Sequence, residues 1–337
     1  MASITATSWR ELPAWQIDGA ELTCIVTARG GHLVCLREAP GPGPSLNALW
    51  APSWPTSCDV ASAEAAGTWG SGPEAALLCG IAGSNLCLDR FGGAGAAYAG
   101  AAARPLHGEV GVTEFARCAA AASAAADLVV SADLPAAGLR VTRSFTLRGR
   151  TLVLSTSAQR LGGGSGGGES QYVEWCEHTT LGGAFLDGVE ITASVDAVMA
   201  MPADGADVAP AATDAAALAA ALAFPAADAP PASAIASCRL TDGSWCAANA
   251  RLGFALSARF SAADFPWLCL WTEHRSRTHA PWAGVQRARG MEMSTKPFPE
   301  GEPPPSRARE LLGKPAAMFL PPAGAVTKTI EFTWARL

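Results

Sequence analysis

The sequence lacks the patterns that mark several common classes of protein. No apolar run approaches the ~20 residues that a membrane-spanning helix needs, so a helical membrane protein is excluded. Charged residues make up only 16% of the 337 residues. The 24 Lys and Arg are scattered along the sequence, and the net charge is −6. Both features argue against nucleic acid as a partner. The first ten residues have no basic region followed by an apolar one, and we therefore expect no secretory signal.

The familiar metal and nucleophile motifs are also missing. A mixed site could draw on several His and Glu residues, but Cys-x-x-Cys, His-x-His, His-Glu-x-x-His and two-His-one-carboxylate spacings do not occur. We therefore predict no metal. The Gly162–Gly168 run lacks the strand-then-helix context of a phosphate-binding loop, and we give it no ligand role. Serine-nucleophile chemistry is not expected either. The possible metal ligands are His107, Glu109, Glu177, His178 and His274.

The ten cysteines lack the density of a small disulfide-stapled scaffold. Several lie in runs with the composition of strands, among them Cys24, Cys35 and Cys269. Without a secretory signal, this distribution predicts buried thiols in a reducing compartment. The expected location is the cytoplasm, and an organelle remains open.

Alternating apolar and polar residues predict strands along most of the chain. Glu21–Ala28 and His32–Glu38 should form one hairpin, and Leu139–Leu147 and Thr151–Gln159 a second, because glycine turns separate them. Asp214 could cap a short helix ending near Ala223. We predict an all-β fold with antiparallel sheets in one domain over residues 1–337, carrying an Ala/Pro-rich surface insertion at about 203–236.

Four clusters combine titratable groups with glycines or aromatic residues, as expected where strand ends line a polar pocket. Within the run 172–186, alternation places Glu177 and His178 on opposite faces, so only one of them can point into a shared pocket. The chain also has 11 Trp but only 2 Tyr. An indole face can pack on a sugar ring, although core packing is the commoner role of any single tryptophan. The tryptophans in or near the clusters are Trp50, Trp54, Trp175, Trp271 and Trp282.

These clusters resemble a known family when they are taken in order. They are Asp89-Arg90-Phe91-Gly92, His107-Gly108-Glu109, Glu177-His178-Thr179-Thr180-Leu181-Gly182 and Arg289-Gly290-Met291-Glu292. The set resembles the galactose mutarotase-like (aldose 1-epimerase) superfamily, in particular a divergent branch of aldose epimerase-like proteins. The resemblance spans the chain from the first hairpin to about Pro299, apart from the insertion. It implies a β-supersandwich of large twisted antiparallel sheets with a sugar site on a concave face.

The resemblance also implies roles for particular residues. Glu292 would be the base that takes the proton of the anomeric hydroxyl, and His178 the acid that protonates the ring oxygen. His107 and Arg90 would bind the sugar. Further substrate-binding candidates are Glu177, Glu273, Trp175, Trp282 and Asp242.

Two departures from the family pattern leave the sugar specificity open. Pro105-Leu106 replaces the usual Asn before the first His-Gly pair, and the sugar-gripping Asp has only Asp242, in an ordinary turn context, as a counterpart. The acid–base chemistry needs one base and one acid on opposite sides of the anomeric carbon, with no metal or organic cofactor. An apolar surround of Met291, Met293 and Phe298 would raise the pKa of the base. Arg289 could oppose that shift or bind an anionic substituent.

Three functions are consistent with these residues. The first is a cofactor-free aldose 1-epimerase (mutarotase) that acts on a monosaccharide or a modified hexose. The second is a carbohydrate-binding protein that has the fold but no turnover. The third is a sugar lyase or hydrolase that uses Glu177, Glu273 and Glu292 as its carboxylates. The sequence sets neither the sugar nor the oligomeric state.

Overall fold

A computed structural model describes residues 2–40, 46–57, 59, 67–70, 73–93, 105–118, 126–162, 170–201, 210–299 and 310–337. The predicted glycine loop lies outside this set except for Gly162, as does the Ala- and Gly-rich segment 94–104. None of the helices among the described residues is long and apolar enough to cross a membrane.

Strands account for most of the described chain, and the prediction of an all-β fold is confirmed. The first half contains β1 Ser3–Trp9, β2 Leu12–Asp18, β3 Leu22–Thr27, β4 Leu33–Glu38, β5 Ser84–Leu88, β6 Ala116–Arg117, β7 Leu128–Leu134, β8 Leu139–Arg148, β9 Thr151–Arg160 and β10 Gln171–Val173. The second half contains β11 Trp175–Gly182, β12 Glu190–Ala200, β13 Ala232–Asn249, β14 Phe254–Phe260, β15 Trp267–His274, β16 Arg287–Ser294, β17 Glu310–Leu311, β18 Lys314–Pro315, β19 Met318–Leu320 and β20 Ala325–Arg336.

One antiparallel sheet of 16 strands runs through the molecule in the order β1-β2-β3-β4-β5-β11-β16-β15-β13-β14-β20-β9-β8-β7-β6, with β12 joined to β13. The 18-residue strand β13 links its two halves, because residues 232–239 pair with β15 and residues 244–249 pair with β14. The middle of the sheet places β11 beside β16, although these strands lie about a hundred residues apart in the sequence.

Both predicted hairpins are present, as β3–β4 and β8–β9. Helices are few among the described residues: α1 spans Pro73–Leu78, α2 spans Ala215–Leu222, and two 3-10 turns span Glu109–Val112 and Gly183–Leu186. The predicted cap of α2 is confirmed, because the Asp214 side chain accepts a hydrogen bond from Ala217 N. Strand β13 begins at Ala232, within the range of about 203–236 predicted as an insertion.

Apolar residues from the facing sheet surfaces form one main core. It includes Val26, Phe145, Leu154 and Trp245, each almost fully buried. Alternation along each strand sends the remaining residues to the other face, which on β11, β16 and β15 carries the candidate site. Nine cysteines lie among the described residues; all are thiols, and seven are buried. This agrees with the sequence-based expectation for their packing.

Candidate active site

His178 and Glu292 meet at the centre of the sheet. They are cross-strand neighbours in the pairing of β11 with β16, and His178 Nε2 lies 3.1 Å from Glu292 Oε1. Both side chains are almost fully buried. On its other ring nitrogen, His178 Nδ1 lies 3.1 Å from the Thr180 hydroxyl. The acid and the base that the resemblance implied are therefore in direct contact.

Burial sets the charge of this pair. Desolvation lowers the pKa of His178 to about 4 and raises the pKa of Glu292 to about 8, with Arg289 opposing the second effect. Between these values the pair holds one proton, so near pH 7 it carries no net charge. Such a pair can accept a proton at one atom while it gives one at the other.

The space that Glu292 occupies depends on a glycine. A Cβ at Gly290 would lie 2.3 Å from Glu292 Oε1 and 3.0 Å from Trp271 Cβ. The predicted desolvation of Glu292 is present, but Met291 and Met293 belong to the main core on the opposite face of β16. The cross-strand partners of Glu292 on its own side are His178 and Cys269.

A second histidine lies next to the pair. His107 approaches His178 edge to face, with 5.3 Å between ring centroids, and stacks on Phe91 at 6.0 Å. Gly92 N donates a hydrogen bond to His107 Nδ1 at 3.1 Å. Burial, together with His178 and Arg277, lowers the pKa of His107 well below its ordinary 6.5. His107 is therefore neutral near pH 7.

Tryptophans form a wall of the site. Trp271 and Trp282 meet at 85° with centroids 5.9 Å apart, and Trp50 stacks on Trp282 at 6.1 Å. The guanidinium of Arg277 lies over both rings of the first pair, 4.5 Å from the centroid of Trp282 and 5.4 Å from that of Trp271. Its Nε lies 3.5 Å from Glu273 Oε2.

The two histidines, Glu292, Arg277 and the three tryptophans line a cavity that opens to solvent, with an empty volume of about 800 Å³ including its mouth. Helix α1 and the residues beyond it contribute Glu74, Leu77, Leu78 and Ile81, while Leu106, Ile235 and Pro299 complete the apolar part. The cavity thus joins an acid–base pair, a cation and an aromatic wall. This combination suits a polar ring with an apolar face.

The architecture matches solved structures at low sequence identity. A provisionally assigned aldose 1-epimerase from Klebsiella pneumoniae superposes with a TM-score of 0.65 at 14% identity, over 99% of this chain and 83% of the other. One from Escherichia coli K12 gives 0.61 at 12% over the whole of both chains. A provisionally assigned mutarotase from Salmonella typhimurium gives 0.62 at 11%, over 99% of this chain and 94% of the other. No protein-family model matches the chain, and no curated protein has a matching sequence.

The chain has the galactose mutarotase-like fold. In these three comparisons the structural likeness covers 99–100% of the chain. At these identities the likeness concerns the architecture alone.

The mutarotase-like fold places four of the nine residues named from the sequence at the cavity: Glu292, His178, His107 and Trp282. Arg90 is buried and does not line it. Trp175 and Glu177 lie on the opposite face of β11, where Trp175 is part of the main core. Glu177 accepts hydrogen bonds there from Arg143 and Thr156, both at 2.8 Å. These side chains are therefore not in position to touch a ligand in the cavity.

Two further candidates, Glu273 and Asp242, are not among the residues that line the cavity. Glu273 is fully buried, accepts hydrogen bonds from the Ser276 backbone and hydroxyl, and does not line the cavity. Asp242 bonds to the adjacent Gly243 N at 2.8 Å, as an ordinary turn residue does, and does not line the cavity.

Several cavity residues were absent from the set named as binding residues, and Trp271 and Arg277 are two of them. Trp271 lies two positions before Glu273, so the same alternation points to it. Arg277 lies in the irregular segment after β15, where no periodic signal exists. Arg289 does not face the cavity: it donates to the Thr272 hydroxyl at 2.6 Å and to Ala221 O. Among the described residues no group of three or more His, Cys, Asp or Glu could hold a metal ion.

Proposed function

We propose that this protein is an aldose 1-epimerase, which interconverts the α and β anomers of a monosaccharide or modified hexose. The observation that carries the proposal is the 3.1 Å contact between His178 Nε2 and Glu292 Oε1. Both side chains are buried, and both line a cavity that opens to solvent. In a pyranose, the anomeric hydroxyl and the ring oxygen are bonded to the same carbon. An acid and a base that contact each other can therefore serve both atoms from one side of the ring, instead of from opposite sides of the anomeric carbon as expected from the sequence.

The single proton of the pair provides both halves of ring opening. In the tautomer with Glu292 ionised and His178 protonated, Glu292 takes the proton of the anomeric hydroxyl while His178 gives its Nε2 proton to the ring oxygen. The ring C–O bond breaks, an open-chain aldehyde forms, and the pair is left as a neutral carboxylic acid and a neutral imidazole. This is the form that burial favours in the empty site.

Ring closure reverses these transfers after rotation about the bond to the aldehyde carbon. The hydroxyl attacks the other face of the carbonyl, His178 recovers its proton, and Glu292 returns one to the new anomeric oxygen. Thr180 accepts from His178 Nδ1–H throughout and so keeps Nε2 directed at the reacting atoms. Trp271 and Trp282 offer flat surfaces to the sugar, and His107 offers a neutral donor.

The direct test is anomerisation of a panel of aldoses, followed by polarimetry and by exchange NMR. We expect acceleration over buffer for at least one sugar. Glu292→Gln and His178→Asn should each lose about 10²–10⁴-fold in kcat, because each removes one proton-transfer group. Glu190→Gln, which neutralises an exposed glutamate on β12, is the matched control and should keep full activity.

The two rival functions give different results in the same experiments. Sugar binding without acceleration for any aldose would refute the proposal in favour of a carbohydrate-binding protein. Products other than anomers would indicate a lyase or hydrolase. Undiminished activity of Glu292→Gln would remove the assigned base.

A further inference from the structure

Glu174 is a fully buried carboxylate at the start of β11 that takes no part in the proposed proton transfers. Its Oε1 accepts from Lys296 Nζ at 2.7 Å and from the Tyr172 hydroxyl at 3.2 Å. Its Oε2 accepts from the backbone N–H of Phe91 at 2.6 Å. The carboxylate therefore ties the start of β11 to the loop that follows β5.

In that loop Gly92, the residue after Phe91, forms hydrogen bonds with His107. Gly92 N donates to His107 Nδ1 at 3.1 Å, and His107 N donates to Gly92 O at 2.9 Å. The ring of Phe91 also stacks on the imidazole. His107 itself has a φ of 64°, a conformation that a residue with a Cβ adopts only when its surroundings hold it there.

The direction of the first hydrogen bond determines the tautomer of His107. A backbone N–H can only donate, so Nδ1 must be the acceptor and carry no proton. A neutral imidazole then carries its proton on Nε2. Because Nδ1 is occupied by Gly92, the Nε2–H is the group that His107 can offer to a sugar oxygen in the cavity.

We propose that Glu174 is a positioning residue that fixes the Nε2–H tautomer and the orientation of His107, by holding the Phe91 N–H and through it Gly92. Lys296 compensates the charge of Glu174, which is buried away from solvent. The effect on turnover rests on the proposed epimerase function. The effect on the His107 tautomer does not, and it is measured separately.

The tautomer can be read directly by ¹⁵N NMR of the wild-type protein, with the His107 signals assigned by their loss in His107→Asn. The two-bond ¹H–¹⁵N correlation pattern distinguishes Nε2–H from Nδ1–H. We expect neutral His107 with a proton on Nε2 alone. A predominant Nδ1–H form would overturn the proposal without any variant of Glu174.

Two double variants isolate the contact with Phe91, and neither leaves an unpaired buried charge. Glu174→Gln/Lys296→Met keeps an oxygen that can accept from Phe91 N, whereas Glu174→Leu/Lys296→Met removes it. The first should keep the tautomer and most of kcat. The second should show mixed tautomers and a kcat reduced by up to about 100-fold, with a smaller change in KM, because it misplaces a donor to the reacting sugar.

Lys328→Met is the control for loss of a buried lysine, since the contacts of Lys328 are with Asp264 and the rings of Trp175 and Phe265. It should leave the tautomer and kcat unchanged. If Glu174→Leu/Lys296→Met keeps the Nε2–H tautomer, the proposal is wrong, whatever happens to kcat. If the wild-type protein turns over no aldose, the proposed function fails, while the two tautomer measurements still decide the role of Glu174.

Discussion

The ionisation of Glu292 should be visible in the pH dependence of stability, independently of any substrate. Glu292→Gln keeps the shape of the side chain and a hydrogen-bonding group for His178 but cannot titrate. Burial raises the pKa of Glu292 from its ordinary 4.5 to about 8. Between these values the folded protein keeps a proton that the unfolded chain has released. Stability then falls as pH rises.

The size of the effect follows from the pKa. Each pKa unit corresponds to about 1.4 kcal/mol, so the whole shift of Glu292 is worth roughly 5 kcal/mol. This stabilisation is complete below pH 4.5 and is lost as pH rises through about 8. The free energy of unfolding of the wild-type protein, relative to Glu292→Gln, should therefore fall by about 1.4 kcal/mol per pH unit across that window. His178 titrates in both proteins, and its contribution cancels to first order in the difference.

Urea unfolding at several pH values measures this difference. The 11 tryptophans supply the fluorescence signal, and coincident circular dichroism checks that each transition is two-state. Glu190→Gln is the control. The wild-type protein could instead gain stability relative to Glu292→Gln above pH 4.5 and lose it again as His178 deprotonates. That result would show that Glu292 and His178 form an ion pair. A flat difference would mean that Glu292 has its ordinary pKa. Either result would refute the reasoning.

Three further outcomes are expected. The pH profile of kcat/KM for the proposed anomerisation should be bell-shaped, with limbs near pH 4 and pH 8. Below the lower limb His178 takes up a proton, so that the pair holds two, and above the upper limb Glu292 loses its proton, so that the pair holds none. Polarimetry across both limbs checks this, and a flat profile would contradict it. Arg143→Met should cost roughly 3–5 kcal/mol in urea unfolding, by leaving Glu177 buried and unpaired, and Arg143→Met/Glu177→Leu should recover much of that loss; equal losses would argue against the pair. Asp214→Ala should destabilise α2 by about 1 kcal/mol, seen as faster amide exchange there with unchanged turnover; slower turnover would give this helix a role in the site.

Local features of the fold were predictable because their causes are local. The two glycine-linked hairpins follow from turns and alternation within one short stretch of chain each, and the cap at Asp214 follows from one side chain and one N–H. The order of the strands was not predictable in this way, because the pairing of β11 with β16 joins segments far apart in sequence. The resemblance to a family supplied that long-range information for His178 and Glu292. It did not supply the partners of Glu174, which depend on side-chain packing.

The misplaced residues show how far alternation reaches. On β11, Glu177 and His178 must face opposite ways, and the choice of His178 for the cavity fixes every other residue of the strand. Trp175 is an even number of positions from Glu177, so its place in the core with Glu177 followed from the same rule. The indole ring of Trp175 suggested that it could pack on a sugar, but its position on the strand excluded that role. The same parity selects Thr180 on β11, which bonds to His178, ahead of any aromatic residue of that strand.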